Sequence, residues 1–316
     1  MASPRARKSS QLRLPMILMG RTLRAKEIRF AFCLVLPALL IVGGMYLYPS
    51  ILTVLFSFSK VDLATLSIKE LVGFDNYRRL LADPMFRATI WRSLYFAFVI
   101  VFATIGLAFW IALLLNQKFF GRDVLRTTIL LPWAIPPVVA GVLWGQIFHA
   151  EAGILNAIIY QLGLGSGTFA WMADAAIALH VIIMAEIWRF LPFVTLFVLA
   201  GIQNIPASLY DAANMDGASK WKQFWHITLP LTMPVLLPVS IVQLTWAMKS
   251  FDTIFVLTGG MEGTRILNYF VYMEAFRHFS LGSASAAAYI LLVIKLAAIL
   301  AFTLLQRKFI KGGVSG

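Results

Sequence analysis

Long, nearly uninterrupted apolar runs alternate with short polar segments along most of this chain. The runs cover residues 30–59, 93–115, 127–148, 175–200, 229–248 and 283–306. A hydrocarbon core about 30 Å thick is crossed by about 20 residues of helix, so each run is long enough to span it. Four of the six carry no charge; the fourth contains Glu186 and Arg189, and the sixth contains Lys295. The pattern predicts an all-α polytopic membrane protein with six transmembrane helices. No internal repeat or low-complexity tract interrupts it, which disfavours the secondary transporters built from inverted repeats.

Composition agrees with a lipid solvent. Hydrophobic residues make up 60% of the 316 positions and charged residues 13%, against about 25% charged in soluble domains. The formal net charge of +13 does not point to nucleic acid, because membrane proteins gather Lys and Arg in cytoplasmic loops. With the N-terminus inside, sixteen Lys and Arg fall on the cytoplasmic side and nine outside, and Asp62, Glu70, Asp75 and Asp83 offset much of the outer set. This bias predicts a multi-pass membrane protein with both termini in the cytoplasm.

The basic tail, 1–29, is too long and its following run too extended for a cleaved signal peptide. Leu12, Leu14, Met16, Ile17, Leu18, Met19 and Leu23 interleave with arginines there. That pattern fits an amphipathic helix on the anionic inner leaflet and equally a disordered basic arm. Cys33, the single cysteine, permits no internal disulfide and no thiolate metal cluster.

The segment between the fourth and fifth runs, 205–230, carries the most specific chemistry. Pro206 suits the first turn of a helix, and Ser208 to Ala213 is helix-compatible. Gly217 can take the left-handed conformation that ends a helix. A second amphipathic stretch follows, with Trp221, Phe224, Trp225 and Ile227 at roughly helical spacing, and Pro230 then fits the start of the fifth span. Small residues at Ala212, Ala213, Gly217 and Ala218 would let another surface approach closely. The residues alone fit a docking knob or an ordinary amphipathic loop at the bilayer surface.

The order Asp211-Ala212-Ala213, then Gly217, nine residues, and Ile227-Thr228-Leu229-Pro230 closely resembles the EAA loop of ABC importer permeases. Asp216-Gly217-Ala218 and Pro234 match the carbohydrate branch, while Asp211 stands where that family usually has Glu. Leu131 to Pro136, Trp144 to Asn156, Glu186 to Phe193 and Leu257 to Gly260 are similar to the maltose and glycerol-phosphate type permeases. The resemblance implies a type I importer permease fold: a peripheral first helix (30–59), an external loop (60–92), a five-helix core (93–306) containing the coupling loop (203–230), and a cytoplasmic tail (307–316). It also implies a second permease subunit (a heterodimer), an extracytoplasmic solute-binding protein, and two ATPase subunits holding ATP and Mg. Asp211, Ala212, Ala213, Asp216, Gly217, Trp221 and Phe224 would form the ATPase-coupling surface.

No phosphate-cradling Gly-x-x-x-x-Gly-Lys-Ser/Thr occurs, so ATP hydrolysis is expected on a separate subunit and this chain is expected to hold no cofactor. Leu257-Thr258-Gly259-Gly260 falls on the predicted outer side and reads as a turn. His149, His180, His226 and His278 are scattered, with no pair at metal-ligand spacing, and no nucleophile motif appears.

Ionisable groups inside a span usually face a cavity or a partner. Glu186 and Arg189, three apart on the fourth span, share a face and can pair, either on a solute pathway or as a structural brace, with Phe193 bordering them. On the fifth span Gln243, Trp246 and Ser250 make a stripe that mixes an aromatic ring with hydrogen-bonding groups, followed by Asp252. Such a surface suits sugars, and the resemblance implies that these two helices line the solute site. The leading expectation is a carbohydrate importer working by alternating access. The same machine carrying an anionic solute such as glycerol 3-phosphate, held by Arg189 and Lys249, is the alternative. An ion-coupled secondary transporter with Glu186 as the carrier is more remote.

Overall fold

A computed structural model describes residues 14–62, 65–165 and 168–314, with side chains from 26 to 304. The amphipathic face expected in the basic arm therefore lies outside the described side chains, and residues 1–13 outside the described backbone. The chain divides into two compact units, 1–55 and 56–316.

The described part of the first unit is one long helix: α1 (Leu14–Val42), a π turn (Gly43–Leu47) and α2 (Tyr48–Ser57). Residues 26–57 are apolar enough to cross a membrane. The π turn has a local cause. Pro49 has no N–H and its ring crowds the carbonyl four residues back, so the ladder widens to the i−5 bond from Tyr48 N–H to the Gly43 carbonyl.

The second unit opens with a feature absent from the hydrophobic pattern. Strands β1 (Ser59–Asp62) and β2 (Ser67–Leu71) pair antiparallel with a bulge at Lys60/Val61, and helix α3 (Asp75–Ala82) follows. Asp83 caps α4 (Pro84–Asn116) through its carboxylate, which accepts the Met85 N–H at 2.9 Å. The second span thus begins nine residues before the expected Ser93, and the segment 60–92 is largely ordered secondary structure. Trp91 and Trp110 are both 73% exposed on α4. Nineteen positions at 1.5 Å each separate them by about 28 Å, which fits aromatic belts at the two faces of the bilayer.

The third span is not one helix. It runs as α5 (Arg122–Thr128), α6 (Leu131–Ala134) and α7 (Pro137–Ile147), with a 98° bend between the 122–134 and 137–147 segments. Pro136 and Pro137 cause the break. Each forces its predecessor out of the α region, and Ile135 and Pro136 accordingly lie extended, at ψ 128 and 142.

Helix α8 (Ile154–Gln161) precedes α9 (Ala175–Gln203), capped by Asp174, and α10 (Ala207–Met215) follows. Then α11 (Lys220–Gln223), a π turn (Phe224–Thr228) and α12 (Leu229–Ala247) form one continuous helix. Pro230 lies in the first turn of α12, at the entry to the fifth span, although the helical run continues into it from α11. The π turn just before it repeats the arrangement before Pro49, with Leu229 N–H on the Phe224 carbonyl. Helices α13 (Asp252–Thr258) and α14 (Leu267–Tyr272), a π turn (Met273–Arg277) and α15 (Leu281–Val314) complete the chain.

Helix α4 packs most extensively against α9, and α12 lies against both. One buried cluster gathers Phe86, Phe96, Ile100, Ile182, Phe190, Leu244 and Leu267; a second gathers Ala108, Phe109, Ala112, Val198, Ile202 and Leu236. Among the described residues five helices are long and apolar enough to cross a membrane, and six spans result when the bent α5–α7 run counts as one.

Candidate functional site

The 206–230 segment folds as two short helices around one tight turn. α10 ends where Gly217 adopts φ +70. Ala218 N–H bonds the Ala213 carbonyl at 2.9 Å and Gly217 N–H bonds the Asn214 carbonyl at 3.1 Å, the paired bonds of a Schellman cap. Ser219 then caps α11, its hydroxyl accepting Lys222 N–H at 3.4 Å.

Two side chains lock this pair of helices together. Gln223, 3% exposed, donates to Asn214 Oδ1 at 2.8 Å and to the Ala218 carbonyl at 2.9 Å. Tyr210 and Thr228 share a hydrogen bond of 2.8 Å, tying α10 to the π turn below α12. Hydrogen bonds therefore join α10 directly to the base of the fifth span.

Of the seven candidate coupling residues, Asp211, Ala212, Asp216, Gly217 and Trp221 are exposed, and Ala213 is half-buried. Phe224 turns inward: its ring meets Phe109 of α4 edge-on at 5.5 Å, so it positions the knob. Met215, 90% exposed at the tip, extends the surface and was not singled out from the sequence. Neither was Gln223, whose only sequence signal is a polar residue on the apolar face of a short helix.

A cavity of about 410 Å³ opens between α6–α7, α9 and the α12–α13 junction. Glu186, 1% exposed, anchors its wall. Arg189 Nη2 donates to Glu186 Oε2 at 2.6 Å, and the Thr253 hydroxyl donates to Oε1, so the carboxylate is held from α9 and α13 at once. The Arg189 guanidinium also lies over the Phe190 ring, 4.3 Å from its centroid. Trp246 stacks on Phe190 at 5.8 Å, and with Trp133 these rings form the apolar side. Lys249, Ser250 and Asp252 line the polar side. Two cations and two carboxylates border this space, so its formal charge is balanced.

Five of the seven candidate pathway residues, Glu186, Arg189, Trp246, Ser250 and Asp252, line this one cavity. Gln243 and Phe193 do not. Gln243 is fully buried, with its amide 3.5 Å from the Ile100 carbonyl of α4. The expected Gln243–Trp246–Ser250 stripe fails because α12 stops at Ala247; Ser250 reaches the cavity from a turn. Phe193 stands behind the wall, with ring centroids 5.8 Å from Trp133 and 5.0 Å from Trp246. Trp133 and Pro137 enter only because the third span bends.

Comparison with known proteins converges on one group. Residues 104–311 match the family described as binding-protein-dependent transport system inner membrane component. The trehalose/maltose transport system permease protein MalF of Thermococcus litoralis is 34% identical, covering 90% of this chain and 95% of that protein. The sulfoquinovosyl glycerol transport system permease protein SmoG of Agrobacterium fabrum is 32% identical, covering 84% and 86%. In three dimensions the chain is similar to a bacterial ABC transporter involved in the import of the acidic polysaccharide alginate, with a TM-score of 0.78 at 21% identity, over 91% of this chain and 99% of that one.

Proposed function

The chain belongs to the inner membrane components of binding-protein-dependent transport systems, a family of multi-pass translocation subunits, and on that premise we propose that it imports a carbohydrate. In this reading it pairs with a second permease chain, both termini face the cytoplasm, and two separate ATPase subunits bind ATP and Mg. Solute arrives from an extracytoplasmic binding protein. ATP drives the cycle because it favours one conformation of the assembly over another. The ATPases press on the Asp211–Trp221 face of the knob, and the helices rock between inward- and outward-facing states.

The observation that carries the coupling role is the hydrogen-bonded joint at Gly217, Gln223 and Tyr210, which makes the exposed knob a rigid lever on α12. For the cargo, support comes from the cavity. Ring faces at Trp133, Phe190 and Trp246 suit the C–H faces of a pyranose, and the polar side suits its hydroxyls. Its balanced charge favours a neutral sugar over glycerol 3-phosphate, since Glu186 and Asp252 oppose Arg189 and Lys249. The relatives named for trehalose/maltose and sulfoquinovosyl glycerol support a sugar or glycoside as cargo; the first pair is neutral and the second carries a sulfonate.

Affinity purification of the tagged chain from native membranes is the test. It should recover an ATPase and a binding protein, and ATP hydrolysis should rise when saccharide is added. Solute uptake that survives ATP depletion and collapses with an ionophore would overturn the assignment.

A further inference from the structure

A separate cavity of about 410 Å³ lies where α4 and α9 end against the coupling knob, and it shares no lining residue with the solute cavity. Its lining has two characters. Leu113, Ile202 and Phe224 are apolar, whereas Asn116, Gln117 and Lys220 carry hydrogen-bond donors. Lys220 brings a positive charge, and none of the described lining residues is an acid. This cavity is therefore cationic where the solute cavity is balanced.

The donors are largely unused. The Asn116 and Gln117 side-chain amides make no hydrogen bond among the described residues. Lys220 Nζ reaches only neutral oxygens, Asn214 Oδ1 at 3.4 Å and Gln223 Oε1 at 3.3 Å. More positive charge gathers at the same end of α4. Arg126 donates to the Leu115 carbonyl at 3.0 Å and Arg122 to the Gln117 carbonyl at 3.5 Å. These two arginines share one acid, Asp123, and Lys118 pairs with none among the described residues.

Depth along α4 places the cavity in the membrane. Trp110, 73% exposed, marks one face of the bilayer. Leu113 and Gln117 follow about 5 and 10 Å further along the helix. The headgroup layer on each face is about 5–7 Å thick, so Leu113 borders its hydrocarbon side, and Asn116 and Gln117 its aqueous side. A soluble phosphate meets the donors but leaves the apolar wall uncovered; a phospholipid covers both.

We propose that this cavity binds an anionic phospholipid of the adjoining leaflet. Lys220, Asn116 and Gln117 donate to its phosphate oxygens, and Leu113 and Phe224 lie against the glycerol and first methylenes. Tyr210, Gln223 and Thr228, which tie α10 to the base of α12, also line the cavity. A lipid held there fills the space between α4 and the coupling joint, so leaflet composition acts on the element that moves.

The test places the purified transporter in phosphatidylcholine nanodiscs that contain a trace of phosphatidylglycerol or phosphatidylcholine bearing a diazirine beside the phosphate. Labelled peptides are mapped by mass spectrometry. The phosphatidylglycerol probe should label 113–117 and 220–228 in preference to the phosphatidylcholine probe. Lys220→Gln should lower that labelling about fivefold, the equivalent of about 1 kcal/mol for one lysine at an anionic leaflet. Lys220→Arg keeps the charge and Lys222→Gln lies outside the cavity, so both should label normally. Displacement of the probe by inorganic phosphate would make this a site for a soluble anion and overturn the lipid assignment. Equal labelling in Lys220→Gln overturns the proposal, as does no labelling in these segments, the result if an ATPase subunit covers them. Both leaflets of the disc carry the probe, so neither outcome depends on the orientation or the cargo proposed above.

Discussion

Replacing Gly217 tests whether the knob acts through its backbone. Its φ of +70 costs glycine nothing, and a Cβ there meets nothing within 4 Å, so substitution acts through conformation and not through a clash. A non-glycine residue in the left-handed region costs about 1–2 kcal/mol, least for Asn and most for β-branched side chains. Opposing a change of shape are the two bonds of the cap and the Gln223 bond to the Ala218 carbonyl, together about 3 kcal/mol at about 1 kcal/mol each. Gly217→Asn should therefore transport close to normally. Gly217→Ala should leave about 1–2 kcal/mol in favour of the turn, a modest loss. Gly217→Val, at the top of the range of about 1–3 kcal/mol for a strained left-handed residue, should bring the turned and opened forms near balance, sharply reducing saccharide-stimulated ATP hydrolysis and uptake in the reconstituted complex, while membrane content stays normal. If Gly217→Asn proves as damaging as Gly217→Val, side-chain bulk against a partner is responsible and the backbone reasoning fails. Full activity in Gly217→Val would remove the turn from the mechanism.

Three further outcomes follow from the same geometry. Arg189→Gln strands the Glu186 carboxylate, 1% exposed, with only Thr253 to bond; it should cost about 3–5 kcal/mol and lower the Tm of the purified complex more than Glu186→Gln, since Arg189 borders the cavity. Gln223→Leu removes its bonds to Asn214 Oδ1 and to the Ala218 carbonyl and should cost about 1–3 kcal/mol; uptake should fall with no change in the amount of chain in the membrane. Trp246→Ala removes the ring stacked between Phe190 and the cavity and should reduce saccharide uptake by about tenfold, the equivalent of about 1.4 kcal/mol. Trp246→Tyr should retain most of it, and equal uptake in all three forms would take Trp246 out of the binding wall.

Much of the molecule was legible because two signals are local. Lipid demands long apolar helices that satisfy their own backbone, so runs such as 93–115 and 175–200 announce themselves. The turn at Gly217 announces itself too, because few residues other than glycine enter the left-handed region readily. Glu186 and Arg189 were found as a pair for the same reason, since three positions on a helix share a face whatever surrounds it. Other features depended on neighbours. Gln243 is polar and on the expected helix, yet α4 covers it. Ser250 lies in the cavity although the helix that was to carry it has ended. The third span has the composition of a straight helix, but Pro136 and Pro137 break it and swing Trp133 into the wall. The sequence alone determined which segments cross the membrane, where the coupling turn lies and which charges sit among apolar residues. Only the tertiary structure decided which side chains share a cavity, because that depends on where helices end, bend and touch, and periodicity along one helix carries no record of its neighbours.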